Sequence, residues 1–163
     1  MNINKLFQMQ KALDEYIKSE HKLATENLLE RKILAFLVEL GELANETRCF
    51  KFWSVKPSSE KNIVLEEYVD GLHFLLSIGI ELGFQDIEFD IEDHSDLSSI
   101  SSQFLEIYYA TVEFRLIRNE QQFKGLFSLF LQLGKMLGFT FIEIEQAYFQ
   151  KNDVNYQRQQ NGY

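Results

Sequence analysis

Residues 37–46, LVELGELANE, combine the apolar spacing of a helix with three glutamates. The leucines of this stretch recur every three residues, which is the spacing of one face of an α-helix. Glu39, Glu42 and Glu46 recur at intervals of three and four, so they form a neighbouring stripe on the same helix. The stretch therefore predicts a packed helix with carboxylates at the edge of its buried face.

The composition of the chain favours helices and one folded unit. Hydrophobic residues make up 45% of the 163 residues, with 15 Phe and 7 Tyr, and no break in composition divides them. With 8 Gly and a single Pro, the turn residues of a many-stranded β protein are scarce. We therefore predict an all-α fold, a bundle of about six helices, as a single domain over residues 1–163.

The net charge and the hydropathy pattern exclude several classes of partner. A net charge of −9 argues against a nucleic-acid surface, because neutralising phosphates requires an excess of Lys and Arg. No N-terminal apolar segment and no run of 18 apolar residues is present, and the single Cys excludes an intrachain disulfide. These features predict a soluble cytoplasmic protein that binds neither a nucleic-acid polymer nor a membrane.

Apolar periodicity and helix-end signals divide the chain into segments. Thr25 is a candidate cap for the second helix, Gly83 for the end of the third, and Asn119 and Thr140 for the start of the last two. Residues 49–59 read as a connector and the acid-rich residues 85–95 as a solvated linker. The predicted helices span residues 4–20, 26–47, 60–82, 98–117, 120–137 and 140 to about 150.

A weak internal echo links the two halves of the chain. GIELGF at 79–84 and GKMLGF at 134–139 lie 55 residues apart, and each ends a predicted helix. The same offset carries Glu67 to Gln122 and Asp70 to Gly125. If the halves are related, only the first has kept carboxylates.

The third helix, like the second, contains a short-spaced pair of acids beside apolar residues. Glu67 and Asp70 lie three residues apart within an apolar run. Like charges at this spacing destabilise a helix by roughly 0.2–0.5 kcal/mol per pair. A divalent cation removes the repulsion, and four carboxylates from two helices suit Mg²⁺, which prefers oxygen ligands. Either pair alone is more simply interpreted as part of a solvated helix face. The metal hypothesis therefore depends on finding two such pairs on consecutive helices.

The motifs together resemble a known family. ExxE at 39–42 with ExxD at 67–70 resembles the metal signature of the MazG-like all-α nucleoside triphosphate pyrophosphatases, and more closely the dimeric dUTPases. The C-terminal KNDVNYQRQQNGY, 151–163, is similar to the KNxxNxxRQxxGY motif of that dUTPase family. FKFW at 50–53 and DGLHF at 70–74 also resemble family sequence. The resemblance covers nearly the whole chain.

This resemblance implies a fold, a reaction and an assembly. The fold is the MazG-like helical bundle, and the reaction is Mg²⁺-dependent hydrolysis of dUTP to dUMP and pyrophosphate. Glu39, Glu42, Glu67 and Asp70 are the implied metal ligands, with Glu42 or Glu39 as the candidate base. A homodimer or a dimer of dimers is expected, because the aromatic residues exceed what one core of this size hides.

The resemblance also implies residues that bind the substrate. Lys151 and Arg158 suit phosphate oxygens, although a solvated helix end is the plainer interpretation. Gln10 matches a family Gln that reads uracil, but Asp14 stands where the family has Asn. An ionised carboxylate only accepts hydrogen bonds, so Asp14 is limited to the N3–H of uracil. The full predicted set is Gln10, Asp14, Lys51, Trp53, Phe74, Lys151, Asn155, Arg158 and Tyr163.

Several alternatives stay open at this point. Phe74 is either a stacking platform for the base or plain core, and Trp53 either lines the site or packs at a subunit interface. Because of Asp14, a related pyrophosphatase acting on dCTP or on a noncanonical triphosphate competes with a dUTPase. The alternative of another class is a non-catalytic helical interaction module that binds no metal at its carboxylates.

Overall fold

The protein is a bundle of helices, as the sequence predicts. The structure, a computed structural model, describes residues 1–87 and 99–162, and these contain no strand. The acid-rich stretch predicted to be a linker falls largely outside the described residues. The helices are α1 Ile3–Glu20, α2 Leu29–Thr47, α3 Lys61–Glu81, α4 Ile100–Leu116, α5 Glu120–Met136 and α6 Phe141–Gln160.

Local signals account for most helix ends. The side chain of Asn119 accepts a hydrogen bond from the backbone N–H of Gln122, which confirms the predicted cap of α5. Thr140 and Glu143 form the predicted capping box at the start of α6. Gly83 follows α3 with φ 76°, a left-handed conformation that favours glycine.

Two predicted helix limits are wrong. Helix α2 begins at Leu29 rather than near Thr25, because the side chain of Asn27 accepts from the backbone N–H of Leu29 and holds the preceding residues in turns. Helix α6 ends at Gln160 rather than near 150. Its C-terminal half lacks an apolar stripe and is instead docked by polar and aromatic contacts, such as the rings of Tyr156 and Tyr16 at 5.5 Å.

Helix α3 lies at the centre of the bundle and contacts α1, α2, α5 and α6. Most of its side chains are buried, and His73 and Ser77 are the polar exceptions among its buried positions. Both lie on the same side of α3 as Asp70 and Phe74, because the spacings are three, four and seven. No single described helix is long and apolar enough to cross a membrane, whereas the bent pair of α5 and α6 meets that test by length and composition only.

A reciprocal contact between α3 and α5 fixes their separation. The ring of Tyr68 on α3 lies over Gly134 of α5, where a β-carbon would come within 2.7 Å of it. The ring of Phe123 on α5 lies over Gly79 of α3, where a β-carbon would come within 2.6 Å. Tyr68 also stacks on Phe130 at 4.5 Å and donates a hydrogen bond to its carbonyl oxygen. Both aromatic residues and both glycines are 55 positions apart, the offset of the sequence echo.

We expect Gly134→Ala to lower the free energy of unfolding by about 1–3 kcal/mol, because the new methyl group overlaps the Tyr68 ring. Gly125→Ala on the same helix is the matched control, since nothing lies within 4 Å of its added β-carbon. That variant should gain about 0.5–1 kcal/mol from the loss of glycine entropy. Urea unfolding measures both changes, and equal effects at the two positions would contradict the reciprocal contact.

Candidate active site

Three carboxylates from two helices converge on one point. Glu39 of α2 and Glu67 and Asp70 of α3 each offer an oxygen, and these atoms all lie within 4.8 Å of one another. The helices run antiparallel, since Ser59 N–H donates to the Glu46 carbonyl oxygen beside the connector while Gly71 faces Glu39 further along. The short connector between α2 and α3 thus brings the two predicted acid pairs side by side.

Partial burial makes this cluster electrostatically expensive. Burial, together with the charges of Asp70, Glu42 and Glu67, raises the pKa of Glu39 to about 7. Burial is also the main cause that raises the pKa values of Glu67 and Asp70. A divalent cation would offset both the desolvation and the repulsion, and three hard oxygen donors suit such an ion. The donor set therefore fits the metal that the motifs imply.

Glu42 lies near this group but outside it. Its charge raises the pKa values of Glu39 and Glu67, so it contributes to the same field. Glu42 is exposed and lines a shallow depression with Val38 and Glu67. Glu46, the last acid of the stripe on α2, accepts a hydrogen bond from the hydroxyl of Ser59 and lies outside the three-carboxylate group.

Lys151 of α6 supplies positive charge beside the cluster. Its Nζ lies 2.6 Å from an oxygen of Asp70 and 2.8 Å from an oxygen of Glu66. The hydrogen bond from Lys151 lowers the pKa of Glu66, whereas at Asp70 the raising effect of burial exceeds it. The sequence predicts Lys151 as a phosphate ligand, and in this structure it is paired with carboxylates next to the expected phosphate position.

A cavity of about 340 Å³ runs from the carboxylates into the bundle, a volume within the range of small-molecule sites. Glu39 and Asp70 border one end, together with Asn155 and Arg158 of α6. Phe74 lines the wall. The other end is closed by polar side chains, of which all but Lys32 are buried, namely Gln10, Asp14, Lys32, His73 and Ser77.

The inner end of the cavity is a hydrogen-bonded network. Gln10 Nε2 donates to Asp14 Oδ1 at 2.7 Å. Gln10 Oε1 lies 2.8 Å from the hydroxyl of Tyr148 and 2.6 Å from Nδ1 of His73, whose ring stacks on Tyr148. Asp14 also accepts from Lys32 Nζ at 2.9 Å and from the hydroxyl of Ser77. The buried carboxylate is therefore held by partners from three helices.

The remaining predicted residues lie elsewhere. Lys51 and Trp53 are in the connector between α2 and α3, and neither is among the described residues that line the cavity. Lys51 donates to Asn45, while Trp53 is largely exposed and packs edge-on against Phe50 and Phe52. Tyr163 lies outside the described residues. The roles of these three residues stay predictions.

Sequence reasoning missed three residues of the inner end. His73 and Ser77 follow Asp70 by three and seven positions, so helical spacing carried a signal that placed them on its face. Lys32 carried no such signal, because it lies on a different helix from its partner Asp14. Only the packing of α1 against the rest of the bundle brings those two side chains together.

One comparison with known proteins identifies a family. A sequence model of the family described as dUTPase matches residues 2–163 of the chain. The match covers all six helices, the carboxylate cluster and every residue that lines the cavity. It confirms the resemblance drawn from the motifs. A search of curated proteins found no match.

The raised pKa of Glu39 predicts how its replacement changes stability. Unfolded Glu39 ionises near 4.5, whereas the folded residue ionises near 7. Between these values the folded state binds more protons, so the contribution of Glu39 to stability is lost as the pH rises. We expect Glu39→Gln to stabilise the metal-free protein relative to wild type, and by more at about pH 8 than at about pH 5.5.

Thermal unfolding in a chelator measures this difference at both pH values. Burial lowers the pKa of His73 to about 3, so His73 adds stability as the pH rises, but this effect is common to both proteins and cancels. Glu30→Gln on the same helix is the control, because its pKa is lowered and its charge is constant across this range. If the difference in stability between Glu39→Gln and wild type does not grow with pH, the pKa of Glu39 is not raised in the folded protein.

Proposed function

The chain belongs to the dUTPase family over residues 2–163, and on that premise we propose that it hydrolyses dUTP to dUMP and pyrophosphate with Mg²⁺. Family membership makes it a nucleotide diphosphatase. The observation that carries the specific proposal is the cavity, which is bordered at one end by Glu39 and Asp70 of the three-carboxylate group and at the other end by a polar network. This polarity matches a nucleoside triphosphate, whose charge is concentrated opposite its base.

The two ends of the cavity suit the two ends of the nucleotide. At the outer end, Arg158 can hold phosphate oxygens in a bidentate manner and Lys151 adds charge beside Asp70. Asn155 also lines the cavity and offers both a donor and an acceptor to the sugar. Phe74 presents an aromatic ring to the wall on which a base can stack.

The carboxylates at the outer end would hold the cation. Glu39, Glu67 and Asp70 form the set that is gathered in space, and Glu42 lies close enough to join it. A bound Mg²⁺ neutralises phosphate charge and lowers the pKa of a coordinated water. Glu39 borders the cavity and Glu42 lies close to Glu39, so these two carboxylates are the candidates to accept a proton. We assign the general base to Glu39 or Glu42.

Glu39→Gln and Asp70→Asn should each lower the turnover of dUTP by at least about 100-fold while the helical circular dichroism stays unchanged. Glu30→Gln is the matched control on α2, because its carboxylate pairs with Arg115 and Arg118 away from the cluster. The assay measures pyrophosphate release with Mg²⁺ and with a chelator. Full activity of either site variant would exclude the replaced carboxylate from the reaction. Full activity of wild type in the chelator would exclude a requirement for the cation.

An exposed apolar stripe supports a homodimer. Four residues of α4 lie on one face because their spacings are four, three and four, and each is between 52% and 75% exposed. They are Leu105, Tyr109, Val112 and Leu116. Leu34 and Val38 of the neighbouring α2 are also exposed. Since Val38 borders the depression that contains Glu42 and Glu67, we propose that a second copy covers this surface beside the carboxylates.

The double variant Leu105→Asp/Val112→Asp should be monomeric, because two charges would be buried if the stripe were covered. Val55→Asp is the control, since Val55 is an equally apolar but fully exposed residue of the connector. Multi-angle light scattering measures the mass of each protein. A wild-type mass of 19.2 kDa at micromolar concentration would refute the dimer, and a larger mass in the double variant would place the interface elsewhere.

A further inference from the structure

The hydrogen-bonding capacity of the inner end can be assigned atom by atom. Asp14 carries only acceptors when ionised, so the amide nitrogen of Gln10 has to be the atom that faces it. Gln10 Oε1 then faces Tyr148 and His73 and accepts from both. His73 therefore carries its proton on Nδ1, and Nε2 is a bare acceptor. Gln10 Nε2 keeps one N–H that is not used by Asp14.

Lys32 provides a second donor on the other side of Asp14. Its Nζ lies 2.9 Å from Asp14 Oδ2 and 3.6 Å from Glu81 Oε1, and its side chain is only 12% exposed. An ammonium group has three N–H bonds and no acceptor, so one remains beyond these two partners. Gln10, Asp14 and Lys32 all line the cavity, and the two donors flank the two oxygens of Asp14, so the three side chains offer a donor, an acceptor and a donor in that order.

This order matches the hydrogen-bonding edge of uracil. Uracil presents two carbonyl oxygens with an N–H between them, which needs a donor, an acceptor and a donor. Cytosine has an unprotonated N3 and an amino group in place of one carbonyl. It would set a lone pair against the carboxylate and an amino group against a donor. A base that leaves polar groups without partners in a buried site binds much more weakly.

Resting on the proposed function, we infer that Lys32 determines base specificity by donating to a carbonyl oxygen of uracil while Asp14 accepts from N3–H. The carboxylate at position 14 lacks any donor of its own, and Lys32 supplies the donor that the base requires. The bare Nε2 of His73, which has no hydrogen-bond partner among the described residues, is a further buried acceptor that a bound nucleotide can satisfy. The inner end is thus built for a ligand that donates as well as accepts.

The test is Lys32→Met, which removes the donor and keeps a similar length. The ratio of kcat/KM for dUTP to that for dCTP should fall about 10- to 100-fold, the worth of one charged hydrogen bond. The ratio for dUTP to dTTP should not change, because thymine presents the same edge as uracil. A general disturbance of the cavity would alter both ratios, so the pair of ratios separates base reading from structural damage.

Lys18→Met is the matched control, because Lys18 also borders the cavity but pairs with Glu81 and not with Asp14. It should leave the dUTP to dCTP ratio unchanged. If Lys32→Met does not fold, Lys32→Gln decides the question, since its amide still donates to Asp14 but also offers an acceptor to cytosine. The ratio should fall in that variant too.

Two kinds of failure are distinguishable. A wild type that folds and binds Mg²⁺ but does not hydrolyse dUTP refutes the proposed function. A wild type that hydrolyses dUTP, with a dUTP to dCTP ratio unmoved by replacing Lys32 or moved equally by replacing Lys18, refutes only the inference about Lys32.

Discussion

The packing of the Tyr68 ring against the backbone of Gly134 sets how closely α3 can approach α5, and the site depends on the position of α3. Helix α3 carries a polar stripe at both ends of the cavity, from Glu67 and Asp70 to His73 and Ser77. A displacement of α3 would therefore move both the carboxylates at the outer end of the cavity and the polar network at its inner end. Burial of α3 on almost all sides resists such a displacement, since close-packed interiors transmit strain rather than absorb it.

The two ends of the cavity solve opposite electrostatic problems. At the outer end, burial raises the pKa values of Glu39, Glu67 and Asp70, and repulsion from neighbouring carboxylates adds to this effect. At the inner end, the carboxylate of Asp14 accepts from Lys32, Gln10 and Ser77, which leaves one of its roughly four acceptor sites for a ligand. The outer end therefore favours the binding of a cation. At the inner end, Lys32 already balances the charge of Asp14, so the side chains there are ordered before a ligand binds. Preorganisation of this kind lowers the cost of ordering side chains on binding.

The sequence predicted what local rules determine and failed where packing between helices decides. Caps such as that of Asn119 and the spacing of acids along a helix depend on neighbours within one helix, so the sequence predicted the helices, apart from two limits, and the approach of Glu39 to Glu67 and Asp70, whereas Glu42 lies outside that group. The extension of α6 past residue 150 was not predictable from an apolar stripe, because α6 is docked there by Lys151 and Tyr156 through partners on other helices. The pairing of Lys32 with Asp14 was invisible for the same reason.

The 55-residue offset connects these observations to the architecture. It relates Tyr68 to Phe123 and Gly79 to Gly134, and each aromatic residue packs on the glycine of the opposite helix. Helices α3 and α5 thus share one packing requirement, the close approach of an aromatic ring to a glycine, although α3 also contacts α1, α2 and α6. The carboxylates are outside that requirement, because Gln122 and Gly125 stand in α5 where Glu67 and Asp70 stand in α3. The packing of α3 on α5 therefore does not require these acids, and the burial that raises the pKa values of Glu67 and Asp70 disfavours their ionised forms, although Asp70 is also paired with Lys151. Packing against α5 therefore does not account for Glu67 and Asp70, whereas a bound cation would offset the cost of burying their charges.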